Sequence, residues 1–258
     1  MTYSADIDRR HPGCFICLVD QSASMQEQCS GAEDGISKAQ VLATGINTVL
    51  AEICITCSRP EIRDLFQVAV IGYGARIHSL FSGLVPVSEM LKGARMEERA
   101  DPMTGDRFRT PIWLDAVAAG MTPMCAALAD AQVLAAEWVR NYPNSFPPIV
   151  LNLTDGQASD GDPTEIAQKL RAVATTDGNV LLFNGYLSAV ASGVVEFPVS
   201  KADLPPNDRY AHRLFEMSSI IPESMRLSRN IWGIVPGGRG MLFNVDFSAV
   251  VKLLDIGS

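Results

Sequence analysis

Short apolar runs alternate with longer amphipathic stretches along the chain. The apolar runs predict strands, at "GCFICLVD", "LFQVAVIGYG", "PPIVLNLTDG" and "NVLLFNGYLS". The amphipathic stretches predict helices, at "ISKAQVLATGINTVLAEICITC", "TPMCAALADAQVLAAEWVRN" and "PTEIAQKLRAVAT". This alternation is typical of an α/β fold, a doubly wound, mostly parallel sheet with helices on both faces. The glycines of "GYG", followed by "RIHSLFSGL", predict a hairpin that adds one antiparallel edge strand.

The remaining segments are less regular. Further helices are predicted at about Asp208 to Met217 and Asp246 to Leu254, with a short strand near "VVEFPV". Residues 85–121 mix charges with methionines and show no clean period, so we predict a long irregular insertion there. Residues 1–12 are expected to form an N-terminal tail, and residues 13–258 a single domain.

The net charge of the chain limits the classes of partner that it is expected to bind. Its 21 Lys and Arg residues face 29 Asp and Glu residues, a net charge of -8. Broad binding to nucleic acid or to an anionic membrane needs a basic surface, so neither is expected. The N-terminal "MTYSADIDRRHPG" has no apolar secretory core, and the apolar runs fall short of the roughly 20 residues that span a bilayer. We therefore expect a cytoplasmic protein whose partners are proteins or cations.

Polar residues follow two predicted strands and precede one helix. Asp20, Ser22 and Ser24 lie in "VDQSAS", Asp155 lies in "LTDG", and Thr122 lies in "GMTPM". Loops that follow parallel strands converge at the carboxyl edge of the sheet, where ligands bind. Each signal alone also has a purely structural interpretation. Asp and Ser satisfy backbone N–H groups in turns, Thr before Pro caps helices, and "TDG" is a turn sequence.

Taken together, D-x-S-x-S after the first strand, a lone Thr further along and an Asp after a later buried strand resemble the von Willebrand factor A domain, of the intracellular microbial type. The resemblance covers most of the chain, from about Gly13 onward, and the motif matches that family's metal-ion-dependent adhesion site. It departs from the commonest form at Ala23, where the family usually has Gly. The resemblance implies that Ser22, Ser24 and Thr122 bind the ion directly and that Asp20 and Asp155 hold it through waters.

Hydroxyl and carboxylate oxygens suit a hard cation, so we expect Mg²⁺, with Mn²⁺ or Ca²⁺ as substitutes. Three neutral hydroxyls leave a dication poorly neutralised, which favours an anionic oxygen from outside. In the family that oxygen is typically a Glu or Asp of a protein partner. The resemblance therefore implies a non-enzymatic scaffold or adaptor, with an AAA-class ATPase, a protein kinase or a phosphatase as family-level candidates for the partner system.

Two alternatives remain for this cluster. A metal-dependent hydrolase could use the same Asp, Ser and Thr residues, although the three histidines form no H-E-x-x-H motif and "DQSAS" lacks the second Asp of D-x-D phosphatases. The site could also have lost its metal.

Cysteines and methionines suggest further hypotheses. The chain contains C-x-x-C twice, at Cys14 and Cys17 and at Cys54 and Cys57, a spacing known from zinc sites. Strand alternation should turn Cys14 and Cys17 to opposite faces, which favours core packing. The methionines between Val85 and Met124 either fill the core or form an adaptable contact surface near Thr122.

Overall fold

The described residues form ten strands and six α-helices. In the computed structural model these residues are 2–29, 35–58, 61–100, 105–188, 193–228 and 234–244. The strands are β1 (Gly13–Asp20), β2 (Phe66–Tyr73), β3 (Ile77–Ser79), β4 (Val85–Pro86), β5 (Arg95–Ala100), β6 (Arg107–Ile112), β7 (Ile149–Thr154), β8 (Leu181–Tyr186), β9 (Val195–Glu196) and β10 (Met241–Phe243). The helices are α1 (Lys38–Cys57), α2 (Val87–Lys92), α3 (Met124–Asn141), α4 (Thr164–Ala172), α5 (Arg209–Met217) and α6 (Glu223–Ser228). The predicted helix at 246–254 lies outside the described residues.

Eight strands form one mixed sheet, in the order β3-β2-β1-β7-β8-β10-β9, with β4 also pairing with β2. The central pairs are parallel, whereas β3, β4 and β9 pair antiparallel at the two edges. The predicted fold class is confirmed, and so is the hairpin between β2 and β3. At the other edge of the sheet, β9 pairs antiparallel with β10. The sequence predicted β9 as a short strand but not its pairing.

Each face of the sheet has its own hydrophobic core. Alternation along β1 sends Phe15 and Cys17 to the face covered by α1, α2 and α6. Cys14 and Ile16 point to the other face, covered by α3, α4 and α5. Because β1 lies in the middle of the sheet, both sets of side chains are excluded from water, which explains why "GCFICLVD" is apolar at nearly every position.

The predicted irregular insertion at 85–121 is wrong for much of its length. Its described residues contain β4, α2 and the two-stranded sheet of β5 and β6. The hairpin was missed because its strands, "RMEERA" and "RFRTPI", are charged where a buried strand would be apolar. Cross-strand charge pairing supports it instead, as in the 3.0 Å contact of Arg107 with Glu98.

A buried asparagine fastens the chain after this hairpin to α1. Asn47 accepts hydrogen bonds from the backbone N–H groups of Trp113 (2.9 Å) and Leu114 (3.1 Å) and donates to the Leu114 carbonyl (2.8 Å). The indole of Trp113 donates to the carbonyl of Met90 in α2. Since an unpaired amide is costly in a core, Asn47 fixes where the chain crosses α1 on its way to Thr122.

Helix α1 begins with a capping box. Ser37 accepts from the backbone N–H of Gln40, whose side chain accepts from the backbone N–H of Ser37. By length and composition alone, α1 could cross a membrane, contrary to the expectation that no segment was long and apolar enough. In the folded domain, 56% of its most apolar window is buried, as in the core helix of a globular domain.

Residues 2–5 of the predicted N-terminal tail are bound to the domain. The carboxylate of Asp177 accepts from the Thr2 hydroxyl (2.6 Å) and from the backbone N–H groups of Ser4 (3.0 Å) and Ala5 (3.2 Å). The ring of Tyr3 meets Phe146 edge to face. Phe146 and Asp177 precede β7 and β8, so this attachment lies at the amino edge of the sheet.

Candidate metal centre

Backbone hydrogen bonds join the three predicted loops at the carboxyl edge of the sheet. The carbonyl of Gln21 accepts from the N–H of Ala119 (2.7 Å), and the carbonyl of Gly120 accepts from the N–H of Ala23 (3.0 Å). Thr122 donates its N–H to the hydroxyl of Ser159 (2.9 Å), and its carbonyl accepts from the N–H of Ser159 (2.9 Å). The segment that carries Thr122 is thus held between the loop after β1 and the loop after β7.

Two glycines allow this close approach. Gly120 has a φ of +82°, and a Cβ there would lie 2.3 Å from Cα of Ala75 in the turn between β2 and β3. Gly156 has a φ of +97°, as the "TDG" turn predicted, and a Cβ there would lie 2.7 Å from Cβ of Tyr210. Both the backbone conformation and the available space therefore require glycine at these positions.

Asp20 ends β1 with a buried carboxylate, 1% exposed. Its Oδ1 accepts from the N–H of Ser22 (2.9 Å), and its Oδ2 accepts from the hydroxyl of Thr154 (2.7 Å). Burial raises the pKa of Asp20 to about 6, because a charged carboxylate loses its hydration there. The hydrogen bonds from Ser22 and Thr154 lower that pKa in part, and the nearby charge of Asp155 raises it further.

The predicted hydroxyl ligands lie in the same region. Oγ of Ser22 is 3.1 Å from Oγ of Ser24, close to the separation of about 3 Å between neighbouring oxygens around Mg²⁺. Thr122 is buried, but its side chain does not cap α3. The carboxylate of Asp160 accepts instead from the N–H groups of Cys125 (3.1 Å) and Ala126 (2.9 Å). The capping interpretation of Thr122 is therefore wrong, and its hydroxyl is available to a ligand.

Asp155 follows β7 with a side chain that is 8% exposed. Its Oδ1 is buried without a hydrogen-bond partner among the described residues. Its Oδ2 lies 3.6 Å from Nζ of Lys38, and that ammonium also lies 2.7 Å from Oε2 of Glu27. A buried carboxylate oxygen without a donor is costly, so Asp155 is missing a partner that a cation or a water would supply.

These oxygens fit a hard divalent cation. The five predicted residues, Asp20, Ser22, Ser24, Thr122 and Asp155, contribute only hydroxyls and carboxylates, and one carboxylate oxygen has no partner within the described ranges. The structure brings all five to one edge of the sheet, while their role as ligands stays a prediction.

Three residues at this centre, Thr154, Lys38 and Glu27, were not predicted from the sequence. Thr154 orients Asp20, Lys38 contacts Asp155, and Glu27 contacts Lys38. Lys38 could have been predicted from the sequence. A lysine in the first turn of an apolar helix meets the positive end of the helix dipole and requires an acidic partner. Thr154 gave no such signal, because threonine is common in strands.

The two C-x-x-C pairs do not form a cluster. Cys17, Cys54 and Cys57 pack in one core, whereas Cys14 packs in the other. Across the described ranges, no group of three or more His, Cys, Asp and Glu side chains could hold a metal. The core-packing interpretation therefore describes these cysteines.

Some methionines near Thr122 fill the core, and one is exposed and could form a contact surface. Met90 and Met124 are fully buried, whereas Met121 is 69% exposed next to Thr122. One large apolar side chain thus lies in solvent beside the candidate centre.

Solved structures share this fold. The chain is similar to proximal thread matrix protein 1 from the mussel byssus, with 15% identity, a TM-score of 0.52 and coverage of 98% of this chain and 49% of that one. A second structure of that mussel protein, described as having a zinc-occupied MIDAS motif, matches with 15% identity, a TM-score of 0.50 and coverage of 97% and 48%. The chain thus spans about half the length of these proteins. No family model and no curated protein sequence matches it.

Proposed function

The chain has the von Willebrand factor A fold, and we propose that it is a metal-dependent protein-binding module rather than an enzyme. A divalent ion at the carboxyl edge of the sheet would recognise a Glu or Asp side chain of a partner protein. The module would act as a scaffold or adaptor.

The observation that carries this proposal is Oδ1 of Asp155, a buried oxygen with no hydrogen-bond partner among the residues that the structure describes. It lies in a site whose other side chains are oriented by hydrogen bonds, such as those to Asp20 from Ser22 and Thr154. Both oxygens of Asp20 accept hydrogen bonds, whereas Oδ1 of Asp155 has no donor in the described part of the chain, and this difference supports a bound cation.

Ser22, Ser24 and Thr122 would bind the ion directly, and Asp20 and Asp155 would hold it through waters. The ion would supply a positive charge that attracts a carboxylate from outside, since three hydroxyls neutralise none of it. We propose Mg²⁺ as the resident ion, with Mn²⁺ or Ca²⁺ as substitutes; the zinc in the site of the mussel protein supports a divalent ion in general.

The surface around the site fits a protein partner. Met121 offers an exposed apolar contact beside Thr122, and methionine adapts to varied surfaces. The net charge of -8 supports neither nucleic acid nor an anionic membrane as the partner. A cytoplasmic location, and a partner system built on an AAA-class ATPase, a kinase or a phosphatase, are parts of this proposal that rest on the sequence alone.

The hydrolase alternative receives no support from the described part of the chain. There, neither Ser22 nor Ser24 is hydrogen-bonded to a histidine, the base that most often activates a serine.

A binding experiment tests the proposal. Mn²⁺ would be titrated into the wild type, into Thr122→Val and into Thr48→Val, a matched control on the exposed face of α1. We expect one ion per chain, unchanged affinity in Thr48→Val and a loss of at least about tenfold in Thr122→Val. Partner capture from a lysate, in Mg²⁺ and in EDTA, should then follow the same order. Failure of the wild type to bind the ion, or equal binding by all three proteins, would refute the proposal.

A further inference from the structure

Lys38 is a buried cation next to the candidate metal centre. It is 2% exposed, although it opens α1, where its charge meets the positive end of the helix dipole. Its backbone N–H donates to the carbonyl of Glu27 (2.9 Å), and its ammonium contacts Oε2 of Glu27 (2.7 Å) and Oδ2 of Asp155 (3.6 Å). The lysine is thus fixed at both ends, and its ammonium lies between Glu27, its hydrogen-bond acceptor, and Asp155, a predicted metal ligand.

The ammonium and a metal ion would share one carboxylate. Lys38 occupies the Oδ2 side of Asp155, while Oδ1 has no partner among the described residues. Part of the negative charge that would attract a dication is therefore already neutralised. Two like charges beside one carboxylate also repel each other, and burial strengthens that repulsion because little water screens it.

The buried charges balance only when an anion joins the ion. Asp20, Asp155 and Lys38 are each more than nine-tenths buried, and together they carry one net negative charge. The charge of Glu27 counts less, because its side chain is 59% exposed and water screens it. A dication alone would leave one net positive charge in the site, which one carboxylate would neutralise.

We propose that Lys38 couples the metal to the partner: its ammonium weakens binding of the divalent ion alone, so that the ion and an external carboxylate bind as a pair. This inference rests on the proposed function and assigns its regulation to a residue outside the five-residue motif. Lys38 acts as a positioning and charge-setting residue, since nothing requires it to contact the ion.

The test measures Mn²⁺ affinity with and without acetate, which stands in for the partner's carboxylate, with chloride at equal ionic strength as the control salt. For the wild type, acetate should strengthen Mn²⁺ binding at least about fivefold. Lys38→Met should tighten binding without acetate by at least about tenfold and lose most of the acetate effect. Lys38→Arg keeps the charge and should behave as the wild type. Lys169→Met, an exposed lysine on α4, controls for net charge.

The outcomes separate the two proposals. An unchanged or weaker affinity of Lys38→Met for Mn²⁺ would overturn the coupling role while leaving the metal site in place. If Lys38→Met does not fold, the effect of acetate on the Mn²⁺ affinity of the wild type is the test. Absence of that effect also overturns the coupling. A wild type that binds no Mn²⁺ in either salt refutes the proposed function, and this inference with it.

Discussion

The hydroxyl of Thr154 donates a 2.7 Å hydrogen bond to Oδ2 of Asp20 and accepts one from the N–H of Gly156 (2.9 Å). It joins the ends of β1 and β7 directly below the candidate metal centre. One neutral hydroxyl thereby orients a buried carboxylate, yet it does not remove the cost of burying that charge, since the pKa of Asp20 stays near 6.

We expect Asp20→Asn to stabilise the metal-free protein at pH 7.5. The folded state raises the pKa of Asp20 from 3.8 to about 6, so between these values it binds more protons than the unfolded state. The contribution of Asp20 to stability is therefore full at low pH and is lost as the pH rises through 6. The loss is about 3 kcal/mol, and Asn recovers about 1 kcal/mol or more of it, since it can replace only some of the hydrogen bonds.

Urea unfolding in EDTA at several pH values measures this effect. The difference in unfolding free energy between Asp20→Asn and the wild type should grow from pH 4 to pH 6 and then stay level. A difference that does not change with pH would show that Asp20 keeps an ordinary pKa. With Mg²⁺ present, only the wild type should gain stability.

Gly120→Ala should destabilise the protein by about 3 kcal/mol or more, through both backbone strain and overlap with Ala75. Gly105→Ala is the matched control, because Gly105 also has a positive φ, +74°, but a Cβ there meets no atom of the described residues within 4 Å. It should cost about 1 kcal/mol. Chemical unfolding of both variants gives the comparison, and equal costs would mean that the approach of Gly120 to Ala75 is not as tight as described.

Asp177→Ala should release residues 2–5, because its carboxylate accepts from Thr2, Ser4 and Ala5. We expect a loss of about 2 kcal/mol and faster proteolysis near the N-terminus. Asp6→Ala, at an exposed position of the same segment, should change neither quantity. Limited proteolysis followed by mass spectrometry reports the cleavage position, and resistance of Asp177→Ala would contradict the attachment.

Thiol labelling should separate the four buried cysteines, which include Cys54 and Cys57, from the two that are partly exposed. Cys14 and Cys17 are buried in the sheet, and burial raises the pKa of both thiols, so they should react only when the protein unfolds. Cys29 and Cys125 are partly exposed and should be labelled in the native state. Native labelling of Cys17 at the rate of Cys125, or stoichiometric zinc in the purified protein, would contradict core packing.

Periodicity predicted the central elements well because they are buried on both sides. The strand from Ile149 to Thr154 is buried along its whole length, and only Asn152 and Thr154 interrupt its apolar pattern, as expected for a central parallel strand. The hairpin of β5 and β6 was missed because both of its faces are polar, so no alternation marks it. A hydrophobic pattern reveals buried elements, and most residues of this hairpin are exposed or only partly buried.

The candidate centre was predictable only as a set of loop residues. Asp20 and Asp155 could be placed at strand ends, and parallel strands bring such ends together. The position of Thr122 depends on Asn47, Gly120 and Ser159, which lie far apart in sequence and give no local signal. Lys38 contacts Asp155 across more than a hundred residues, a relationship that no spacing rule contains.

Residues 2–5 are attached at the amino edge of the sheet, so anything joined to the N-terminus lies on that side of the domain. Phe146 and Asp177 anchor those residues where β7 and β8 begin, whereas Asp20 and Asp155 lie where β1 and β7 end. A neighbouring domain, a tag or a solid support joined ahead of Thr2 would therefore be attached at the end of the domain opposite to the candidate metal centre. Immobilised in that orientation, the domain would present the candidate metal centre outward, away from the support.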